Sequence, residues 1–399
     1  MIKNKVIIWS EDNYNALGHF YQLGPAGLDL FFLINGNSKG MATRSKYCKV
    51  YHETNSLEEG LEYLLSFCKN DELKPIVMSG GDLVAEAIDQ HRNELLPYFI
   101  IQGTKEQGLL TKIDSKNEMS HIANELSFLV PMSIDCYWNS GIDDVKYPCI
   151  LKPSKYTVGH KKEFKTKVCN TAEELNNSLS KLRHDSLYQI QEYIPKETDI
   201  VINGCRMMDG SFVFPGTVYK NRTDGGDSSF GKIVPEIDRA VDIEKVQTYV
   251  EKIDYYGLFA FEFGLYQGKA YFYEVNLRND ATTVFLEQVG ANLLLAWALD
   301  CAGKDYAQAG LKVQKSEFFM DEIFDYINVL TDRITKRQWK KDKEKATVFK
   351  YYHEGDEGPW KSLEKKKCYL CFRKKMITQY RPLIVKMIDK LGLNPTSLR

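Results

Sequence analysis

No apolar run in the chain approaches the ~20 residues that a helix needs to cross a bilayer, so the sequence offers no helical membrane span. The start, MIKNKVIIWSEDN, holds a lysine and a short apolar stretch but no small-residue cleavage site. It reads as a first β-strand and not as a signal peptide. Neither charge sign dominates: 53 Lys and Arg against 54 Asp and Glu leave −1, which removes any global electrostatic reason to expect nucleic acid or an anionic membrane as partner. The nine cysteines are odd in number and scattered, a usage that fits reduced thiols in a cytoplasm better than a disulfide framework. Only Cys368 and Cys371 form a C-x-x-C pair, and without a second pair a four-ligand zinc site lacks half its donors. Gly18, Gly80 and Gly81 do not make a G-x-G-x-x-G fingerprint, so a dinucleotide site has little support. There is no internal repeat and no low-complexity segment.

What is present is an alternation. Lys5 to Trp9, Leu28 to Ile34 and Pro75 to Met78 read as strands, with helices over Asn13 to Leu23, Leu57 to Cys68 and Asp82 to Leu96. This order predicts a small doubly wound parallel sheet. A polar-apolar helix is expected over Lys112 to Leu129, ending before Pro131. Tyr147 to Pro153 is a buried-strand pattern with Lys152 near its end, where a lysine is costly unless an anion meets it. The lysine-rich segment Ser154 to Lys167, with Lys155, His160, Lys161 and Lys162, fits a loop over a polyanion or a solvated hairpin loop. Thr171 and Glu174 make a capping box. LYQIQEYI is a strand; Ile200 to Met208 and Ser211 to Tyr219 pair around Asp209-Gly210. Lys220 to Gly231 reads as a polar loop, Asp242 to Asp254 as a helix, and Glu287 to Cys301 as one apolar helix. From Ser316 onward the texture becomes basic and aromatic, either a partner surface or a solvated helical face.

The most informative stretch is LFAFEFGLYQGKAYFYEVNLRND, Leu258 to Asp280. Phenylalanines alternate with Ala260, Glu262 and Gly264, a turn follows at Gln267-Gly268, and Glu274 and Asn276 share a face of the returning strand. Two acids and an amide on neighbouring strands form an all-oxygen set suited to a hard divalent cation; an amphipathic hairpin with solvated acids has the same pattern. Arg278 would lie on the same side, positioned for an anion.

Taken in order, these pieces resemble the ATP-grasp superfamily, and within it the carboxylate–amine ligase-like proteins such as D-aspartate ligase and biotin carboxylase. The resemblance covers about residues 1 to 305. It implies an α/β fold: a Rossmann-like pre-ATP-grasp domain over 1–110, including SGGDLVAEAIDQHRNELLPYF and the Arg44-Ser45-Lys46-Tyr47 element. Two grasp lobes over 111–190 and 191–310 and a helical, basic C-terminal extension over 311–399 would follow. It implies that Lys116 and Lys152 contact nucleotide phosphates, and that Gln191, Glu192 and the backbone of Ile194 receive the adenine. Asp199, with Glu197 as substitute, would hold the ribose. Glu262, Glu274 and Asn276 would hold Mg²⁺ (or Mn²⁺), two ions in all, with Arg278 beside them. The implied reaction is ATP-dependent, ADP-forming ligation of a carboxylate, through an acylphosphate, to an amine. The other readings are a phosphotransferase acting on a hydroxyl and a nucleotide-binding protein without chemistry. Arg222, or failing it Lys220, is expected at the substrate carboxylate, and Asn279 and Asp280 at the amine. The implied setting is cytoplasmic, with small-molecule substrates, no nucleic acid and a possible homo-oligomer.

Overall fold

The computed structural model describes residues 2–67, 71–140, 145–153, 166–224 and 227–376. The lysine-rich segment with Lys155, His160, Lys161 and Lys162, expected as a loop, lies outside the described residues. Three sheets organise the chain. The first contains β1 (Val6–Ser10), β2 (Leu30–Asn35), β3 (Tyr51–Thr54), β4 (Ile76–Ser79) and β5 (Ile100–Ile101), all parallel, in the order β3-β2-β1-β4-β5. All five residues of β1 are buried, as expected when helices cover both faces. Val6 and Ile8 face one cluster with Leu17 and Phe20; Ile7 and Trp9 face another with Leu61 and Val84. Strand order reverses between β1 and β4, and at such a switch point a crevice opens beyond the carboxyl ends. Two helices start there: Tyr14–Leu23, whose cap Asn13 accepts from the amides of Asn15 and Ala16, and Asp82–Gln90, entered through Gly80-Gly81.

A short strand β6 (Gly103–Thr104) leaves this unit to pair with the large sheet. An antiparallel sheet follows: β7 (Ser133–Cys136), β8 (Cys149–Pro153), β9 (Lys167–Cys169) and β10 (Tyr188–Glu192), in the order β7-β10-β8-β9. Helix Ala172–Leu179 lays Leu175 and Leu179 on Leu151, Tyr188 and Ile190. Its cap Thr171 accepts from the amide of Glu174, as the sequence predicts.

The largest sheet holds β11 (Thr198–Arg206), β12 (Phe212–Val213), β13 (Thr217–Asp224), β14 (Asp227–Val234), β15 (Tyr255–Tyr266), β16 (Lys269–Asn276), β17 (Glu317–Met320) and β18 (Ala346–Phe349). They run β16-β15-β11-β13-β14-β17-β18, with β12 beside β11. One face carries Phe259, Phe261, Phe263 and Phe272 against Tyr249 and against Met119 and Ile122 of helix Lys116–Glu125. The other packs Val201, Leu258 and Ala260 on helix Leu293–Cys301, which also touches the parallel sheet's cluster. Trp297 sits fully buried between the two sheets.

Several expectations change, among them the single helices over Lys112 to Leu129 and Asp82 to Leu96, each of which is two, Leu109–Ile113 with Lys116–Glu125 and Asp82–Gln90 with Arg92–Leu95. Residues 220–224 and 227–231 belong to paired strands β13 and β14 and are not a loop: Lys220 and Arg222 meet charged partners, Glu262 and Asp325 with Asp342. The apolar helix over Glu287 to Cys301 is two, Thr283–Glu287 and Leu293–Cys301, because Gly290 turns the chain at φ 99° and Asn292 caps the second. The C-terminal segment is not all helix: β17 and β18 extend the large sheet. Replacing Trp297 by Ala should lower the urea midpoint by an amount worth about 3–5 kcal/mol; an unchanged midpoint would contradict the shared core.

Candidate active site

The β15–β16 hairpin turns through Gln267-Gly268, with φ of 50° and 70°. Positive φ at both central residues is what a two-residue turn of this hand requires. From the turn to the Phe263–Phe272 pair the register is regular, and then it shifts by one residue, so that Glu262 faces Glu274 directly. Such a bulge sends Phe272 into the core and Glu274 to the opposite face, although they are two apart in sequence. Gly264 shares the face of Glu262, and Tyr273 crosses it so closely that a Cβ there would lie 2.3 Å from the Tyr273 hydroxyl.

That face opens on a cleft of about 740 Å³ between the parallel sheet, the four-stranded sheet and the large sheet. It is lined by Lys116, Lys152, Gln191, Ile194, Asp199, Lys220, Glu262, Glu274, Asn276, Arg278 and Asp280. Lys116 is the first residue of its helix, whose cap Ser115 accepts from the amide of Glu118. Lys152 is buried on β8 and donates to Gln191 Oε1 at 3.0 Å. Burial, seconded by the Lys116 ammonium and opposed by Glu274, pushes its pKa down to about 7. A buried ammonium this weakly matched is primed for an anion.

The two carboxylates have cationic neighbours. Lys220 Nζ lies 2.8 Å from Glu262 Oε1 and Lys116 Nζ 3.5 Å from Glu274 Oε2. Burial raises the Glu262 pKa; Lys220 pulls it down while Glu274 and Asp280 push it up. For Lys220 burial acts downward, but Glu262 and Asp280 outweigh it and hold the ammonium charged. Among the described residues no group of three or more His, Cys, Asp or Glu side chains is placed to hold a metal ion. Glu262, Glu274 and Asn276, the set expected for a divalent cation, bring two carboxylates and an amide to the same cleft, an all-oxygen group. Asn276 Oδ1 accepts from Arg278 at 3.2 Å, and the Arg278 guanidinium also bonds Asp82 and the carbonyl of Asn279. Burial would lower its pKa, but Asp82, Asp280 and Asp114 raise it, so its charge is permanent and already neutralised.

Several expected residues lie elsewhere. Arg222 does not line the cleft; it bonds Asp325 through two nitrogens at 2.9 and 2.7 Å and Asp342 at 2.8 Å, with its guanidinium 4.6 Å from the Phe230 ring centroid. The strand is irregular between Tyr219 and Arg222, so Lys220 faces the cleft and Arg222 reaches the C-terminal segment. Glu192 is used by the amide of Met132, Glu197 by the amide of Gln267, and Asn279 by the Thr283 hydroxyl. The cleft also gains residues that the sequence reading missed. Asp82, Glu86 and Asp114 form an acidic wall beside Arg278, and burial with the charges of Asp82 and Glu86, against Arg278, lifts the Asp114 pKa to about 8. The Gly-Gly-Asp following a predicted strand was a usable signal for Asp82. Lys350 and Arg333 carried none.

No protein-family model matches the chain. D-aspartate ligase of Enterococcus faecium is 23% identical over 249 residues, spanning 55% of this chain and 57% of that protein, little over half its length. Among solved structures, N5-carboxyaminoimidazole synthetase from Staphylococcus aureus, complexed with ADP, matches at TM-score 0.64 and 12% identity, covering 84% of this chain and 87% of that one. An L-amino acid ligase from Bacillus licheniformis matches at TM-score 0.62 and 12% identity over 80% and 79%. The chain thus has the mixed α/β fold of ATP-grasp proteins, and its likeness extends to carboxylate–amine ligases of that superfamily. No helix among the described residues is long and apolar enough to cross a membrane.

Replacing Arg222 by Ala strips a buried acid of its partner and should cost about 3–5 kcal/mol. Chemical denaturation reads this, and a loss below 1 kcal/mol would argue against a clamping role.

Proposed function

We propose that this chain is an ATP-dependent, ADP-forming ligase that activates a carboxylate as an acylphosphate and joins it to an amine. The reading rests on one observation: Lys116, Lys152, Glu262, Glu274, Asn276 and Arg278, from separate elements, converge on one cleft. Bringing a carboxylate to a triphosphate sets anion against anion, and the cleft supplies the offsetting charge. In this reading 1–110 is the pre-grasp unit, 111–190 and 191–310 are the lobes that enclose the nucleotide, and 311–399 follows as a further segment.

Lys152 and Lys116 hold the phosphates; Gln191 and the backbone of Ile194 receive the base, and Asp199 the ribose. Glu262, Glu274 and Asn276 would hold Mg²⁺ or Mn²⁺, which when bound neutralises phosphate charge and aligns the transferred group. Arg278 keeps Asn276 aimed and anchors it to Asp82. Lys220 opposes the burial that raises the Glu262 pKa and so favours its carboxylate form. The acidic wall favours a cationic acceptor such as an ammonium group, and Asp114, titrating near neutrality, is suited to take its proton.

The test is ADP release measured with carboxylates and amines singly and together. Dependence on both supports the ligase; release with a hydroxyl acceptor alone would reassign the chain as a phosphotransferase. Glu274→Gln should reduce turnover by on the order of 10²-fold or more, and a fully active variant would sink the metal assignment.

The pH profile follows from Lys152. Its free pKa is lowered to about 7, and bound phosphate favours the ammonium. Below pH 7 it is already charged and nucleotide affinity stays flat. Above pH 7 binding takes up a proton, and affinity falls by up to about tenfold per pH unit. Calorimetry in buffers of different ionisation heat should find this uptake near pH 8 and lose it in Lys152→Met. The same proton uptake in both proteins would refute it.

A further inference from the structure

Charge that balances over the whole chain is unevenly spread along it. Residues 336–375 carry fourteen Lys and Arg against six Asp and Glu, in a chain whose net charge is −1. All six Lys and Arg of helix Lys336–Lys345 are exposed, while Trp339 and Asp342 are buried. Arg222 bonds Asp342, so this basic helix is fastened to β13 and to the sheet that carries Glu262.

Helix Lys367–Lys375 lies beside it. Trp339 shares an apolar groove of about 540 Å³ with Cys371 and Phe372, and Lys343 and Lys367 reach over its ring at 5.4 and 5.8 Å. The inner face of this second helix is conventional. Leu370 packs on the main core, the buried Cys371 donates its thiol to the carbonyl of Ile323, and Lys367 Nζ donates to the carbonyl of Glu322. The outer face is not. Tyr369 is 63% exposed, Phe372 60% and the cap residue Met376 39%. With the exposed Cys368 they fill an arc of about 100° at 3.6 residues per turn. A surface helix normally turns its polar side to water. This one presents apolar side chains instead, with Lys365, Lys366 and Arg373, also exposed, next to them in the chain.

A second copy does not suit this face, since patch on patch would set lysine against lysine. Residues 377–399 do not suit it either: they add four Lys and Arg and one Asp, the same sign again. What matches is a surface that is negative, extended and apolar underneath. The cations are spread along two helices and not gathered in a pocket, which fits a diffuse field better than a point charge. Aromatic side chains beside lysines are stable where water gives way to hydrocarbon. We propose that this corner of the molecule docks on an anionic lipid surface, with Tyr369, Phe372 and Met376 inserted among the headgroups and the lysines of helix Lys336–Lys345 over their charges. The inference goes beyond the ligase reading and is independent of it.

The experiment sediments the full chain with vesicles of phosphatidylcholine alone and of phosphatidylcholine mixed equally with phosphatidylglycerol. The protein should pellet with the mixed vesicles only, and added salt should release it. Tyr369→Ser combined with Phe372→Ser should weaken partition about tenfold or more. Lys340→Gln combined with Lys343→Gln should also weaken it about tenfold or more at low salt. Urea midpoints show that both variants are folded. Failure to pellet, equal pelleting on both lipids, or binding that ignores Tyr369 and Phe372 overturns the proposal. So does a dimer in sedimentation velocity that the Tyr369 and Phe372 variant splits, because a second copy then covers the face.

Discussion

Two carboxylates placed directly opposite each other on neighbouring strands repel, and this chain builds its cleft around such a pair. Like charges in that position destabilise a sheet, and burial makes them costlier. Glu262 and Glu274 persist because Lys220 approaches from β13, two strands away, while Lys116 approaches from the first turn of a helix. The order β16-β15-β11-β13 is what lets Lys220 cross β11 to reach Glu262. A second ring of charge surrounds the first: Arg278 joins Asn276 to Asp82, and so links the hairpin to the switch point of the parallel sheet. The site is thus a lattice of alternating charges in which no member is placed by its own strand alone.

The polarity of the cleft is uneven. Lysines gather where β8 and helix Lys116–Glu125 meet, acids gather at the end of β4, and the C-terminal segment returns two cations. Such an arrangement gives an elongated ligand one favoured orientation, because reversal would set like charges together.

Periodicity carried the parallel sheet, the capped helices and the hairpin, since each is dictated by local patterns of burial and turn chemistry. Lys152 stood out as a charge in a buried-strand pattern, and it is buried. Other features depend on partners remote in sequence. The bulge beside Tyr273 leaves Phe272 and Glu274 with the spacing of same-side residues while placing them on opposite faces, and nothing in the alternation signals it. Arg222 looks like a loop arginine until Asp325, 103 residues on, is brought beside it. The stretch from Lys220 looks like a loop for the same reason: Lys220 and Arg222 are met by acids 42 and more residues further on. Lys350 lies in a stretch whose basic composition masks the one lysine there that is buried against Tyr14.

The placement of β17 bears on how the chain is made. β14 is eight residues long, and until Glu317–Met320 emerge from the ribosome one of its edges has no partner. An open edge is a template for pairing with other chains. The parallel sheet and strands β7 to β16 are translated before their cover, and synthesis is slow beside hydrophobic collapse. The nascent protein therefore passes through an interval in which its largest sheet is adhesive, and any pause in translation before β17 lengthens that exposure.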